Sequence, residues 1–266
     1  MSYFPILKAL GCQGETTVFN FPPNNWEKVS RISRYLNVSC SDGDRWLNRC
    51  LGAVKYGDSA RLTQTDLNTL FENACPDATF FLTLSNEVPP EVSDTLPPSC
   101  VPKTSVPVWR ASLGLVSATG VSSSYQGEID PFPATGSLLT FGYFLQHSLH
   151  TSNYLLFVNL EKSAKQRKEF MELRDPKHSS RLLAEFEVTS NQVNIISLDN
   201  LGFTGESLPL LVCRQMSGIP LYFSHTHDFN ALSLEHTHPP ASIVIHGNRF
   251  EAQKIMKTFW FSEMGR

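Results

Sequence analysis

After Pro107 the chain falls into short runs of strand-forming residues, and this limits the available folds more than any other feature. Residues 108–116, 137–144, 154–160, 183–189 and 193–198 each predict a strand. Short strands separated by turn residues favour antiparallel pairing over parallel β-α-β units. In 183–189, Ala184, Phe186 and Val188 alternate with Glu185 and Glu187, the pattern of a strand with one wet face. Ser190-Asn191-Gln192 then leads into Val193, Ile195 and Ser197, which predicts a hairpin.

The part before residue 107 is more mixed. A strand is expected over 15–21, stopped by Pro22-Pro23. Asn24 or Asn25 then caps an expected helix over 26–36, with Trp26, Val29, Ile32 and Leu36 on one stripe. A second helical pattern covers 46–51, and Thr63 or Thr65 starts a helix carrying Leu67, Leu70 and Phe71. The apolar run 78–84 has the length of a buried strand. Residues 87–106 hold Pro89, Pro90, Pro97, Pro98 and Pro102, the composition of a linker or of a long ordered loop. The expected fold is therefore α+β and β-rich. A smaller α+β part spans 1–96. An antiparallel, β-sandwich-like part spans 97–266 and is closed by a C-terminal helix.

Composition removes several functions. At 266 residues, 41% hydrophobic with 18 Phe, the chain can bury a substantial core. A net charge of −3 supplies no basic field for nucleic acid. No run of about 20 apolar residues is present, so no membrane span is expected. The N-terminus lacks the charged and apolar regions of a secretory signal. The six scattered cysteines form no C-x-x-C pair. Both features point to a reducing, cytoplasmic setting, although a Cys40–Cys50 disulfide remains conceivable.

The stretch 208–261 holds five of the eight histidines, among them His225-Thr226-His227 and His236-Thr237-His238. In a strand, residues i and i+2 share a face, so each triplet can offer two imidazoles to one zinc ion. Asp228 and Glu235 could add carboxylates. Pairing 221–226 with 231–236 around the turn sets Leu221 opposite His236. His225 and His236 then stand four strand residues apart, roughly 13 Å at about 3.3 Å per residue. One hairpin therefore cannot bring all four histidines to one ion, and a site needs one triplet plus a remote ligand. The candidate metal ligands are His236 and His238, and otherwise His225 and His227.

His236-Thr237-His238-Pro239 resembles the His-Ser/Thr-His-Pro centre of the JAMM zinc isopeptidases over four residues. That resemblance implies a downstream aspartate ligand, and no Asp follows Asp228. G-x-S-x-G, G-x-G-x-x-G and Walker patterns are missing, so Ser122, Ser123 and Ser124 read as loop or strand hydroxyls. Glu128 and Asp130 would share a face if extended, and could bind a cation or form an acid/base pair. Cys12 reads as a turn cysteine, and Trp109-Arg110 as a core Trp beside an edge Arg. The basic run 162–168 reads as a solvated turn or helix end. Near the C-terminus, Asn248 and Glu251 resemble a capping box ahead of a helix whose Phe250, Ile255, Phe259 and Trp260 are expected to dock on a sheet.

No complete catalytic set can be assembled. The expected function is a non-catalytic binding or interaction protein without a cofactor, whose partner is another protein or a small ligand. The alternative is a zinc-dependent hydrolase using a His-Thr-His pair.

Overall fold

The structure, a computed structural model, describes residues 2–20, 32–71, 77–100, 111–133, 136–140 (137–140 as backbone), 150–175, 178, 181–199, 210–236, 255, 258–259 and 261–264. In chain order the elements are β1 (Phe4–Pro5), β2 (Cys12–Phe19), β3 (Arg34–Ser41), β4 (Trp46–Val54), β5 (Ser59–Thr63), α1 (Gln64–Leu70), β6 (Phe81–Ser85), β7 (Val92–Ser93) and β8 (Ala111–Ser117). They continue with β9 (Ser122–Gly127), β10 (Ser137–Thr140), β11 (Thr151–Val158), β12 (Lys168–Arg174), β13 (Leu182–Thr189), β14 (Val193–Ser197), β15 (Leu210–Cys213), β16 (Ile219–Thr226) and β17 (Leu232–His236). Helical residues recur at 255, 258–259 and 261–263. Among the described residues the molecule is thus β-rich, with antiparallel sheets and two helices.

The strands form four sheets, ordered β1-β6-β3-β4-β7, β5-β2-β8-β9, β14-β11-β16-β17 and β10-β15-β12-β13. The third, here the inner sheet, is apolar on both faces. Leu156, Val158, Leu221, Phe223 and Leu234 join a core shared with the first two sheets. Leu155, Phe157, Ile196 and Tyr222 join a second core with Met171, Leu173, Val188, Leu211 and Cys213 of the fourth, outer sheet. This double burial explains the unbroken run Tyr154-Leu155-Leu156-Phe157-Val158: neither set of alternate residues meets water. On the far side of the outer sheet, Leu210 and Val212 pack with Phe261 and Met264 of the C-terminal helix.

The last residues of one expected helix and the whole of another are strand. Residues 34–36 open β3, and 46–51 lie in β4, which pairs with it. Leu36, Val38 and Cys40 are buried in the apolar core, and their spacing is two rather than 3.6. The intervening polar residues are buried too, and each donates to a neighbour, while Asn37 Oδ1 finds no partner among the described residues. Asn37 donates to the Ser85 hydroxyl at 2.6 Å, Ser39 to the Asn48 side-chain Oδ1 at 2.7 Å, and Ser41 to the Ala164 backbone carbonyl at 2.7 Å. Residues 26–31 lie outside the described residues. α1 forms as expected, with Thr63 as N-cap and Asp66 completing a capping box.

The hairpin expected from 183–198 is also different. β13 pairs with β12 and β14 with β11, so the Ser190–Gln192 turn carries the chain from one sheet to the next. Asn191 adopts φ 58° there. Its carboxamide accepts from the Glu161 N–H and donates to the Ser163 carbonyl. Interlayer burial has overridden the local turn signal.

Strands on either side of the expected 96/97 boundary pair directly, β2 with β8 over six residue pairs. The described part of 87–106 lies on the first sheet. β7 pairs with β4, the Cys100 N–H donates to the Leu84 carbonyl, and the Leu96 N–H donates to the Lys162 carbonyl. In the basic stretch, Arg167 is held by Glu161 and Glu169, and Lys168 by Glu187. Cys40 and Cys50 form no disulfide with each other: Cys40 faces Leu47 and Cys50 faces Asn37, out of register for one. No described helix is long and apolar enough to cross a membrane.

Candidate functional site

The histidine-rich hairpin has the register its sequence predicts: Leu221 opposite His236, Tyr222 opposite Glu235, and His225 opposite Leu232. Its turn is closed by its own polar groups. The Thr226 hydroxyl donates to Asp228 Oδ1 at 2.6 Å, and the Asn230 amide donates to Asp228 Oδ2 at 2.7 Å. The Thr226 hydroxyl also accepts from the N–H groups of Asn230 and Ala231. These bonds, led by the Thr226 hydroxyl, hold the Asp228 carboxyl below its ordinary range. Asp228, a candidate extra ligand, is therefore a turn acceptor.

The four candidate histidines separate. His225 is 6% exposed and stacks on Phe229, with ring centroids 4.1 Å apart and planes at 11°. Tyr154 and Phe223 complete the aromatic surround at 5.7 and 5.5 Å. His225 Nδ1 lies 2.8 Å from the Thr226 carbonyl oxygen, which only accepts, so Nδ1 carries the proton. Nε2 is buried and without a hydrogen-bond partner among the described residues. His227 lies past the strand end, exposed, and its backbone N–H donates to the His150 carbonyl at 3.0 Å. His236 stacks on Tyr125 with centroids 5.4 Å apart. His238 lies outside the described residues. Glu235 alternates with His236 and so faces away from it. No group of three or more His, Cys, Asp or Glu residues placed to hold a metal occurs among the described residues.

The other candidates are likewise tied into the fold. Glu128 accepts from the Ser2 hydroxyl at 2.9 Å, beside the Tyr3–Ile129 bridge. Ser122, Ser123 and Ser124 lie on β9, where the Ser123 hydroxyl accepts from the Leu234 N–H at 3.1 Å. Cys12 closes a turn with Ala9, and burial pushes its thiol up, away from a reactive thiolate. Trp109 and Arg110 lie outside the described residues. A small cleft between Pro5, Leu113, Tyr125, Ile129 and Leu221 also touches Glu128.

The outer sheet carries what the histidines do not, a polar face broken by large apolar groups. Along β12 the outward positions are Lys168, Phe170, Glu172 and Arg174, and Phe170 is 56% exposed. Leu182 and Leu183 are exposed on β13, at the other end of the same sheet. The bulge between Leu173 and Arg174 pairs Arg174 with Leu182 and leaves Leu183 as the extra residue. The helix that covers Leu210 and Val212 exposes Ile255 (67%) and Phe259 (58%). The expectation that those two residues dock is corrected: Phe261 and Met264 do so instead. At about 100° per residue, Ile255 and Phe259 lie on the opposite side of the helix from Phe261 and Met264. Phe250 and Trp260 lie outside the described residues. The sequence did carry a signal for Phe170, since it is the one aromatic among the charged outward positions of its strand.

Comparison with known proteins gives no match: no family model fits the chain, and no curated protein and no solved structure is detectably similar to it.

Proposed function

We propose that this protein is a non-catalytic interaction protein whose partner is another protein, bound at the outer sheet and C-terminal helix. The reading is carried by a helix with two apolar sides: Phe261 and Met264 pack inward, and Ile255 and Phe259 face solvent. A surface helix that needs only one docked face normally keeps polar residues on the other. Phe170 adds an exposed aromatic on the neighbouring sheet face. Aromatic side chains of this kind anchor protein interfaces. The β-sandwich-like part spanning 97–266 is then the interacting part, supported by the core between the inner and outer sheets. A reducing, cytoplasmic setting fits Cys12, Cys40, Cys50, Cys100 and Cys213, which are thiols rather than disulfides.

Affinity purification from cells expressing the protein, comparing the parent with Phe170→Ser/Phe259→Ser, tests this reading. A co-purifying protein lost at least about tenfold by the variant, with the fold intact, is the expected result. Equal recovery with both chains would refute it. A zinc-dependent hydrolase is the second reading, favoured by the unpartnered, buried His225 Nε2. One equivalent of zinc in tag-free protein, lost on His225→Ala/His227→Ala or His236→Ala/His238→Ala, would favour it instead.

A further inference from the structure

We infer that the outer edge of β13 is a docking site for an extended segment of a partner protein with alternating apolar and basic residues. This deepens the interaction reading above and rests on it. Among the described strands β13 ends the outer sheet, with β12 on one side only. The ladder fixes which backbone groups point outward. The Ser190 N–H donates to the Arg167 carbonyl at 2.9 Å, so even-numbered residues face β12. The Thr189 N–H and carbonyl turn the other way, and the Asn194 side chain satisfies both, at 2.7 and 2.9 Å. By the same alternation, the N–H and C=O groups of Glu185 and Glu187 point off the sheet. Among the described residues nothing pairs with them. Asn194 thus caps the end of the edge and leaves its middle open.

The side chains say which strand fits. On the inner side, Ala184 and Phe186 border the core between the sheets and are only partly buried. An incoming strand would cover them with every second residue. On the outer side, Glu185 and Glu187 are exposed, and Glu187 holds only Lys168, itself exposed. The intervening residues of the incoming strand would lie beside these carboxylates, which selects Lys or Arg. A second copy of this chain fits poorly. Antiparallel pairing of β13 with itself about Phe186 sets Glu185 opposite Glu187, and like charges directly opposite destabilise a ladder.

The probe is a peptide of about ten residues alternating Val and Lys, set beside a block-ordered peptide of the same composition and an alternating Val and Glu peptide. Amide exchange and titration follow binding to the full chain. The expected result is slowed exchange at the Glu185 and Glu187 amides with the Val–Lys peptide alone. Glu185→Lys/Glu187→Lys should weaken that peptide about tenfold or more and bind the Val–Glu peptide in its place. Glu185→Pro removes one outward N–H and no ladder donor, and should weaken binding with the fold intact. No protection at these amides, equal binding of the block-ordered peptide, or self-association of the parent through β13 would each overturn the assignment. If the peptide fails while Phe170→Ser/Phe259→Ser still loses its co-purifying protein, the β13 assignment falls and the interaction reading stands.

Discussion

The inner and outer sheets share one core yet solve different problems. The inner sheet has a packed layer on each face, so Leu155 and Phe157 meet one core while Leu156 and Val158 meet the other. The outer sheet has a packed layer on one face and a helix over part of the second, so β12 and β13 alternate apolar with charged residues. An exposed apolar residue in the outer sheet therefore carries information, because the strand had a polar alternative at that position. The same residue in the inner sheet would merely fill space.

The sharpest way to break this contrast is to truncate one phenylalanine from each sheet. Phe157 is fully buried against Met171 and its neighbours, and a Cβ on Gly218 would already meet its ring at 2.6 Å. Phe157→Ala should cost about 3–5 kcal/mol, while Phe170→Ala should change stability by no more than about 0.5 kcal/mol. Denaturant midpoints of the two variants check this. Equal losses would mean that Phe170 is part of the core and would remove its role as a partner anchor.

A smaller effect concerns how the helix is tied to the outer sheet. Glu172 lies between Arg174, at 2.5 Å, and Arg214, at 2.9 Å, and Arg174 also donates to the Met264 carbonyl at the helix end. Burial pushes the Glu172 carboxyl up, but the hydrogen bonds and charges of Arg214 and Arg174 outweigh it and hold it below the ordinary value of 4.5. The unfolded chain therefore takes up this proton at higher pH than the folded chain. The stability it contributes is complete above the ordinary value and is lost as pH falls through the folded one. Glu172→Gln should cost about 1–3 kcal/mol at neutral pH and flatten the acid limb of the stability profile. An unchanged acid limb, followed by helix signal against pH, would show that the two arginines hold the helix without the carboxylate.

How much of this was legible in the sequence depends on where the decisive interactions lie. The register of β16 with β17 was readable because Thr226, Asp228 and Asn230 close the turn locally. The separation of His225 from His236 followed from that register alone. Residues 34–36 and 46–51 read as helical because the partners that bury their polar members, Asn20 for Arg34 and Pro90 and Ser93 for Asn48, lie outside any local pattern. The 183–198 turn was read as a hairpin because its alternation is right, but the choice between pairing and stepping to another sheet is made by the core between them. The stacking of His225 on Phe229 was hidden as well, since Phe229 reaches the ring only by adopting φ 56°.

The smallest expected effect is the one that most sharpens the contrast between covered and open surface. Periodicity puts Phe259 on an apolar stripe with Ile255, and a docked Phe truncated to Ala costs about 3–5 kcal/mol. The side chain is instead 58% exposed, and docking falls to Phe261 and Met264 over Leu210 and Val212. Arg214 further fixes Phe261, with its guanidinium 5.8 Å from the ring centroid. Phe259→Ala should therefore alter the denaturation midpoint by no more than the equivalent of about 0.5 kcal/mol. Phe261→Ala, at a part-buried site, should cost clearly more. The order matters beyond stability: a neutral Phe259 that is needed for partner capture belongs to an interface. A Phe259 as costly as Phe261 would instead belong to the helix–sheet contact, and the open side of the helix would lose its anchor.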